Sequence, residues 1–149
     1  MNRKFPLYID LSGRDVLVYG GGAVAARRVK TLSQFGPHIT VIAPEIHPDI
    51  RALPAVRCRF AAFCAAEMPQ ADLVLAATSE PSVNHAVVME CRKRGIPVNN
   101  ASSQAECDFQ FPAVAIQNDV VVGVNAGGTD HRLVRRIAAA IRKQLENLL

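Results

Sequence analysis

The stretch DVLVYGGGAVA at residues 15–25 decides the fold class of this chain. Its first five residues form a short apolar, β-branched run that is typical of a buried strand, and three glycines follow directly. Residues 23–35 are then mostly helix formers with apolar residues at helical spacing, and Gly36-Pro37 ends the run. This order predicts a strand, a tight turn and a helix.

Gly20, Gly22 and Ala25 match the pattern G-x-G-x-x-G/A, in which the first glycine permits the tight turn and the second lets the backbone approach a pyrophosphate. The small third residue allows the helix to pack closely on the strand. Free amides at the helix start, together with the helix dipole, favour phosphate charge. The motif predicts a dinucleotide site with Gly20, Gly22, Ala23 and Val24 beside the pyrophosphate and the nicotinamide half, and a purely structural glycine turn is the alternative.

Apolar runs and helical stretches continue to alternate through about the first hundred residues. Further strands are expected at residues 39–43, 56–60, 71–78 and 96–99, with helices at 46–53 and 82–94. Strands that alternate with helices favour a parallel sheet with right-handed crossovers, and uniformly apolar strands indicate helices on both faces. We therefore predict an α/β fold built on a Rossmann-type parallel sheet.

The pattern changes after residue 110. FPAVAI at 111–116 and VVVGV at 120–124 flank a polar turn and predict a β-hairpin. A final helix is expected at residues 129–147, where the apolar residues make one stripe: Val134, Ile137, Ile141, Leu145 and Leu148. The expected organisation is a dinucleotide-binding domain at residues 1–112 and a smaller segment, two strands and a helix, at residues 113–149.

An acidic residue that binds the ribose normally stands about 20 positions after the glycines, at the end of the second strand. That position is Ala43 or Pro44 here, and Glu45 is the first carboxylate available. Because no Arg follows directly to hold a 2′-phosphate, we expect NAD rather than NADP, with these three residues at the adenosine end. Thr78 ends the fourth strand at the same edge, where it either contacts the cofactor or caps the next helix.

Composition excludes several classes of protein. Of the 149 residues, 50% are hydrophobic and 20% are charged, which argues against a disordered, fibrous or highly charged coiled-coil chain. The net charge of +4 fits an acidic partner, namely nucleic acid, an anionic membrane or a small polyanion. The whole excess can be assigned to the last helix, whose residues 132–149 hold five basic side chains and one acidic one. With no Trp and only two Tyr, single-stranded nucleic acid is disfavoured.

The chain also carries no targeting or membrane signal that we recognise. The first six residues include two basic ones, Arg3 and Lys4, but no apolar core of a signal peptide follows them, and no run approaches the length of a membrane span. The four cysteines form no C-x-x-C pair, so we expect reduced and mostly buried thiols. A cytoplasmic protein is therefore expected, with neither nucleic acid nor a membrane as its partner.

Several segments, in this order, resemble the precorrin-2 dehydrogenase family, which includes the amino-terminal module of sirohaem synthase and bifunctional dehydrogenase/ferrochelatase relatives. The segments are Pro6-Leu7-Tyr8 with Leu11, VLVYGGGAVAAR at 16–27, LVLAAT at 73–78 with Asn84, Val98-Asn99, Asp108-Phe109 with Pro112, and Gly127-Gly128-Thr129 before a basic helix. The resemblance runs from about Pro6 to Leu149. The glycine turn alone would not identify the family, whereas the ordered set is fairly specific.

The resemblance implies an enzyme that oxidises precorrin-2 to sirohydrochlorin with NAD⁺, and that in some members also inserts Fe²⁺ or Co²⁺. It further implies a homodimer whose dimerisation segment is residues 113–149, with active sites in the clefts between that segment and the Rossmann unit. Asn99, Ser102 and Asp108 would face the tetrapyrrole. Its carboxylates would be available to basic residues of the last helix, namely Arg132, Arg135 and Arg136.

This sequence departs from the family pattern at two positions. Ser102 stands where relatives usually have an aspartate proposed to act in proton removal and chelation, and a serine is a poor base and a poor metal ligand. Ala126 replaces a serine that often precedes the two glycines. Asp108 is the nearest alternative carboxylate, while Asp130 and His131 stand where relatives often have Ser and Pro. A surface or capping role is the alternative for each of these polar residues.

Three hypotheses from different classes follow. The leading one is an NAD-dependent precorrin-2 dehydrogenase, with Ser102 and Asp108 as the catalytic candidates. The second is a dinucleotide- or tetrapyrrole-binding module without catalysis, which the serine at 102 motivates. The third is a metal chelatase; the sequence offers no His/Cys cluster with ligand spacing, and the further helical domain of bifunctional relatives does not follow within these residues. The metal, if any, is left unknown.

Overall fold

The computed structural model describes residues 3–128 and 130–149, so Thr129, where the last helix was expected to begin, lies outside the described residues. Along the chain the elements are β1 (Asp15–Tyr19), α1 (Ala23–Leu32), β2 (His38–Ala43), α2 (Pro48–Arg51), β3 (Val56–Phe60), β4 (Leu73–Ala76), α3 (Pro81–Arg94), β5 (Val98–Asn100), β6 (Ala113–Gln117), β7 (Val120–Val124) and α4 (His131–Leu148). They fall into two compact units, one of residues 10–109 and one of residues 3–9 and 110–149.

The larger unit is built on a five-stranded sheet. All its strands are parallel, and their order is β3-β2-β1-β4-β5. The α/β class and the parallel sheet predicted from the sequence are therefore confirmed. The chain runs outward from β1 through β2 to β3 and then returns to the other side of β1, so the strand order reverses between β1 and β4. In open sheets of this kind, ligands bind beyond the carboxyl ends of the strands at such a reversal.

The core of this unit explains why its strands are so apolar. Val16 to Tyr19 of β1 and Leu73 to Ala76 of β4 are buried along their whole length, as expected for central strands with both faces covered. On one face, Leu17 and Val74 belong to a cluster with Val87, Val88 and Cys91 of α3. Each such aliphatic side chain contributes about 1.5–3 kcal/mol when it is fully buried.

Local signals set most of the helix ends. Pro81 occupies the first turn of α3 and Gly95 ends it in the left-handed region, at φ 67°, so the helix lies close to the bounds expected at residues 82–94. The helix expected at residues 46–53 is shorter, because Pro48 starts α2 and the Nδ1 atom of His47 accepts the Asp49 amide at 3.1 Å as its cap. The region after α1 forms a 3₁₀ turn before Gly36.

The smaller unit combines an antiparallel hairpin, β6 with β7, and α4. At the hairpin turn Asn118 adopts a left-handed φ of 51°. The side chain of Asp130 caps α4 by accepting the Leu133 amide at 2.8 Å, which is the capping role considered for this residue. The Tyr8 hydroxyl donates to the Val121 carbonyl at 3.0 Å, and this bond ties the amino-terminal residues to the hairpin. The two compact units divide at residues 9/10 and 109/110, whereas the domain boundary expected from the sequence lies at 112/113.

The apolar stripe predicted for α4 differs from the face that the helix buries. Val134, Ile141 and Leu145 are half-buried as expected, but the buried residue of the helix is Ala138, while Ile137 is 37% exposed and Leu148 is 75% exposed. The helix therefore turns the row 134, 138, 141 and 145 toward the hairpin, since the small side chain of Ala138 permits a close approach. Leu133, which is 40% exposed, and Ile137 remain on an uncovered apolar strip of the helix.

The cysteine prediction is also only partly right. All four cysteines are free, but Cys91 alone among them is buried; Cys58 and Cys107 are half-buried and Cys64 is exposed. Within residues 3–128 and 130–149, no helix combines the length and the apolar character needed to cross a membrane.

Candidate functional site

The glycine turn after β1 is held by backbone from two other strand ends. Gly20 has a φ of 119°, and a Cβ atom there would lie 2.2 Å from the carbonyl oxygen of Ala77, which follows β4. A Cβ on Gly21 would lie 2.0 Å from the carbonyl oxygen of Glu45, which follows β2. The amide of His47 also donates to the Gly21 carbonyl at 2.8 Å. Both positions need glycine because of the packing of the chain itself.

Gly22 differs from its two neighbours. It precedes α1 with φ −86° and ψ −164°, and a Cβ there would meet no described atom within 4 Å. No side chain caps this helix start, and Ala23 and Val24 behind it are exposed. The open space in front of free backbone amides is what a pyrophosphate would fill, so the residues present fit a dinucleotide.

The residues expected at the adenosine end lie beside this turn. Ala43 is buried as the last residue of β2, whereas Pro44 and Glu45 after it are exposed. The close approach of Glu45 to Gly21 brings its backbone to the glycine turn. The Glu45 carboxylate is the only acidic group within this short connection before α2.

Thr78, at the other side of the turn, is bound by the buried side chain of Asn84. The Oδ1 atom of Asn84 accepts from the Thr78 amide at 2.9 Å and from the Thr78 hydroxyl at 2.8 Å. The Nδ2 atom donates to the Thr78 carbonyl at 3.1 Å and to the Ser102 hydroxyl oxygen at 3.0 Å. One fully buried amide thus joins the carboxyl end of β4 to the loop that follows β5.

Ser102 lies exposed on that loop, and a second buried asparagine holds it. The Oδ1 atom of Asn100 accepts from the Ser102 amide at 2.9 Å and from its hydroxyl at 2.8 Å. The Nδ2 atom of Asn100 donates to Glu106 at 2.7 Å, and the other carboxylate oxygen of Glu106 contacts Nδ1 of His85. The hydrogen bond from His85 holds the pKa of Glu106 below its usual value.

Asn99 and Asp108 have structural contacts of their own. The Asn99 amide is 3% exposed; it donates to the Phe109 carbonyl at 2.8 Å and accepts from the Arg28 guanidinium. Burial lowers the pKa of that guanidinium. Asp108 is exposed, but one of its carboxylate oxygens accepts the Val98 amide at 2.9 Å, and its own amide donates to the Val98 carbonyl at 2.9 Å. The other carboxylate oxygen, Oδ1, takes no part in the contact with the Val98 amide.

Cys107 bonds to the backbone of Asn100 on β5, as Asp108 does to that of Val98. Its Sγ atom accepts from the Asn100 amide and donates to the Asn100 carbonyl, both at 3.2 Å. Burial raises the pKa of this thiol, so it stays protonated and keeps its role as a donor. These contacts give Cys107 a place in the local backbone structure rather than in a reactive centre.

The basic residues expected to meet substrate carboxylates belong to the other unit. Arg132, Arg135 and Arg136 are exposed in the first half of α4. Ala126 lies in the connection between β7 and α4, and His131 is the first residue of that helix. Across residues 3–128 and 130–149, no three His, Cys, Asp or Glu side chains come together as a metal site.

Sequence reasoning missed the residues that organise this site. Gly21 falls on a variable position of the glycine pattern, and no motif in the sequence assigns a role to Asn100, Glu106 or His85. One signal was available for Asn84, because it lies on the helix face that also carries Val87, Val88 and Cys91, all buried. A polar residue at an apolar position of a helix must find hydrogen-bond partners in the interior.

Comparisons with known proteins agree with this arrangement. Residues 7–113 match a family described as "Putative NAD(P)-binding". A "Probable multifunctional siroheme biosynthesis protein HemA" of Ruminiclostridium josui is 38% identical over 94% of this chain and 28% of its own length. A "Siroheme synthase" of Methylobacillus flagellatus is 37% identical over 97% of this chain and 31% of its own length. The chain therefore spans about a third or less of these curated relatives.

A solved structure, "SirC, precorrin-2 dehydrogenase", is similar along most of both chains. It superposes with a TM-score of 0.75 at 28% sequence identity, and the match covers 95% of this chain and 71% of that one. The likeness extends over both units, since it includes the parallel sheet as well as the hairpin and α4.

Proposed function

Because this chain belongs to the NAD(P)-binding family, among the precorrin-2 dehydrogenases and the amino-terminal domains of sirohaem synthases, we propose that it oxidises precorrin-2 to sirohydrochlorin with NAD⁺. The observation that carries the proposal is the continuity of the sheet edge. The glycine turn contacts Ala77, and Asn84 joins Thr78 to Ser102, so a dinucleotide cradle and a polar loop lie along one row of strand ends.

In this proposal, Gly20, Gly22, Ala23 and Val24 hold the pyrophosphate and the adjoining nicotinamide half. The amides at the start of α1 donate to the phosphate oxygens, and Thr78 borders the cofactor at the end of β4. When it is bound, the dinucleotide supplies the hydride acceptor. The task of the protein is then to hold the tetrapyrrole carbon that loses hydride against that acceptor while a proton leaves the ring.

We propose NAD as the preferred dinucleotide, with Ala43, Pro44 and Glu45 at its adenosine end. A carboxylate at this position can accept hydrogen bonds from both ribose hydroxyls, whereas it repels a 2′-phosphate. Glu45 is exposed directly beside the glycine turn, which supports this preference.

Ser102, Asp108 and Asn99 are the proposed residues of the tetrapyrrole side. Ser102 is exposed and firmly oriented, so it is suited to bind the ring rather than to remove a proton. Asp108 keeps one carboxylate oxygen free of the Val98 amide, and this oxygen is the proposed proton acceptor. Asn99 is buried and supports this loop through its hydrogen bond to the Phe109 carbonyl.

The remaining part of the proposal concerns the smaller unit. Arg132, Arg135 and Arg136 would bind the carboxylates of the tetrapyrrole, because they are exposed and form most of the positive excess of α4. The uncovered strip with Leu133 and Ile137 would pack against a second copy of the chain, as a homodimer. The proposed place of action is the cytoplasm, where NAD⁺ is available to the enzyme.

The test is a turnover assay. The purified protein is incubated with precorrin-2 and NAD⁺, and the formation of NADH and of sirohydrochlorin is followed by absorbance. We expect both products in equal amounts. Binding of NAD⁺ without turnover would instead favour the non-catalytic binding module. Adding Fe²⁺ or Co²⁺ to the same reaction measures any chelatase activity separately.

A further inference from the structure

The hydrogen bonds around Asn84 fix the orientation of its side-chain amide. The Thr78 backbone offers a donor at its amide and an acceptor at its carbonyl, and both are bonded to Asn84. Only one orientation satisfies both, with Oδ1 on the Thr78 amide and Nδ2 on the Thr78 carbonyl. Nδ2 is therefore also the atom that faces Ser102, and it approaches the serine as a donor.

The orientation of Asn100 is fixed in the same way by different partners. The carboxylate of Glu106 can only accept, so the atom of Asn100 that faces it is Nδ2. The Ser102 amide can only donate, so the atom that faces it is Oδ1. Oδ1 is 2.8 Å from the Ser102 hydroxyl oxygen and meets it as an acceptor.

These two orientations leave the Ser102 hydroxyl a single arrangement. Its proton points to Oδ1 of Asn100, and one of its two lone pairs accepts from Nδ2 of Asn84. A single lone pair remains for a ligand. Because Asn84 and Asn100 are 0% and 3% exposed while Ser102 is exposed, the amides are held by the interior and the serine oxygen is accessible.

We propose that Ser102 acts in this site as a fixed hydrogen-bond acceptor that binds an N–H donor, and that Asn84 and Asn100 are the positioning residues that set this polarity. The inference rests on the proposed function, which supplies two N–H donors. One is a pyrrole N–H in the centre of the tetrapyrrole, and the other is the carboxamide NH₂ of the nicotinamide. Ser102 does not donate to the peripheral carboxylates of the ring, because its only proton is bonded to Asn100.

Two pairs of ligands separate the sources of the N–H group. Sirohydrochlorin carries pyrrole N–H groups that its cobalt(II) complex lacks, and NAD⁺ carries a carboxamide that nicotinic acid adenine dinucleotide replaces with a carboxylate. The dissociation constants of all four are measured for the wild type and for Ser102→Ala by fluorescence or absorbance titration. These measurements need no turnover.

We expect Ser102→Ala to lose affinity for only one of the four ligands, the one that carries the bound N–H group. A net hydrogen bond of ordinary strength corresponds to about a five- to tenfold change in affinity. If the donor is the pyrrole, Ser102→Ala should weaken the binding of free-base sirohydrochlorin by this factor and leave the binding of its cobalt complex unchanged. If Ser102→Ala instead weakens the binding of NAD⁺ and not that of nicotinic acid adenine dinucleotide, the donor is the carboxamide. A substitution that merely disturbs the loop would weaken both ligands of a pair alike, and this result would overturn the inference.

A second variant tests the positioning residues. Asn84→Asp keeps the acceptor for the Thr78 amide but replaces the donor that faces Ser102 by a second acceptor, so the serine proton gains an alternative partner. In the pair that responds to Ser102→Ala, the affinity for the ligand with the N–H group should then fall toward that for its partner. Circular dichroism checks that the variant is folded. If this variant does not fold, the Ser102→Ala comparison decides alone. If the wild type turns over precorrin-2 but Ser102→Ala weakens the binding of no ligand selectively, the inference alone is overturned. A wild type that binds neither pair of ligands overturns the proposed function as well.

Discussion

Gly20 faces Ala77 so closely that a Cβ atom on the glycine would lie 2.2 Å from the alanine carbonyl oxygen. Gly20→Ala also forces a side chain into a φ of 119°, which costs about 1–3 kcal/mol before the collision is counted. We expect a loss of more than about 2 kcal/mol in the free energy of unfolding, measured by denaturant titration.

Gly22→Ala is the matched comparison, because the added methyl group meets no described atom within 4 Å. Its effect on the free energy of unfolding should stay within about 1 kcal/mol. Affinity for NAD⁺, measured by calorimetry, should nevertheless fall at least about tenfold, since the methyl group takes the space of the pyrophosphate. An unchanged affinity would contradict the assignment of this turn as the dinucleotide cradle.

Glu45→Gln tests the choice of dinucleotide. Loss of the negative charge weakens the hydrogen bonds to the ribose and removes the repulsion of a 2′-phosphate, so the affinity ratio of NAD⁺ to NADP⁺ should fall about fivefold or more. The ratio is obtained by competitive titration of the two dinucleotides. Asp49→Asn, an exposed acidic residue on the neighbouring α2, is the control and should leave the ratio unchanged.

Asp108→Asn separates support of the sheet from proton transfer. An asparagine can still accept the Val98 amide through Oδ1, so the midpoint of thermal unfolding should remain near that of the wild type. Turnover of precorrin-2 should fall by about a hundredfold or more, because the proposed proton acceptor is lost. A fully active variant would remove Asp108 from the chemistry and leave it the sheet contact alone.

The pair of Glu106 and His85 makes part of the stability depend on pH. Its hydrogen bond lowers the pKa of Glu106 in the folded protein below the ordinary value of 4.5. The stabilisation is therefore complete above pH 4.5 and is lost as the pH falls from there through the folded-state pKa. Glu106→Gln should lower the thermal midpoint at neutral pH, and the difference from wild type should narrow in acid. Glu146→Gln on α4 is the control, and an equal difference at every pH would refute the coupling.

Ile137→Glu tests the proposed homodimer. The side chain is 37% exposed on the strip of α4 that the hairpin leaves uncovered, so a charge there should cost little in folding but prevent association. Sedimentation analysis should find a dimer for the wild type and a monomer for this variant. Ala139→Glu adds the same charge at another exposed position of the helix and should remain dimeric. A monomeric wild type would contradict the homodimer directly.

The sequence was most informative where the determinants of structure are local. The β1 run, the glycines and the first helix follow one another within a few residues, and Pro81 and Gly95 mark the ends of α3 by their own backbone preferences. The dinucleotide motif and the sheet class could therefore be predicted without any knowledge of distant contacts.

The errors concern contacts between residues far apart in the chain. Gly21 needs its glycine because residue 45 approaches it, and no local pattern reveals that approach. The stripe of α4 was assigned to Ile137 rather than to Ala138, because hydrophobicity alone favours the larger side chain while the close packing of a helix on a hairpin favours the smaller one. The buried hydrogen-bonding roles of Asn84 and Asn100 were not predicted, because polar residues are ordinarily expected at the surface.

The hydrogen bonds that residues 107 and 108 make to β5 have one more consequence. β5 is the last strand of the sheet, and the outward-pointing amides and carbonyls of Val98 and Asn100 are all bonded, to Asp108 and Cys107 respectively. An unpaired strand of this kind would be a template on which another molecule could add a strand and begin to aggregate. Here a carboxylate and a backbone amide of Asp108 and the thiol of Cys107 occupy that margin, so another strand could pair with β5 only by displacing them.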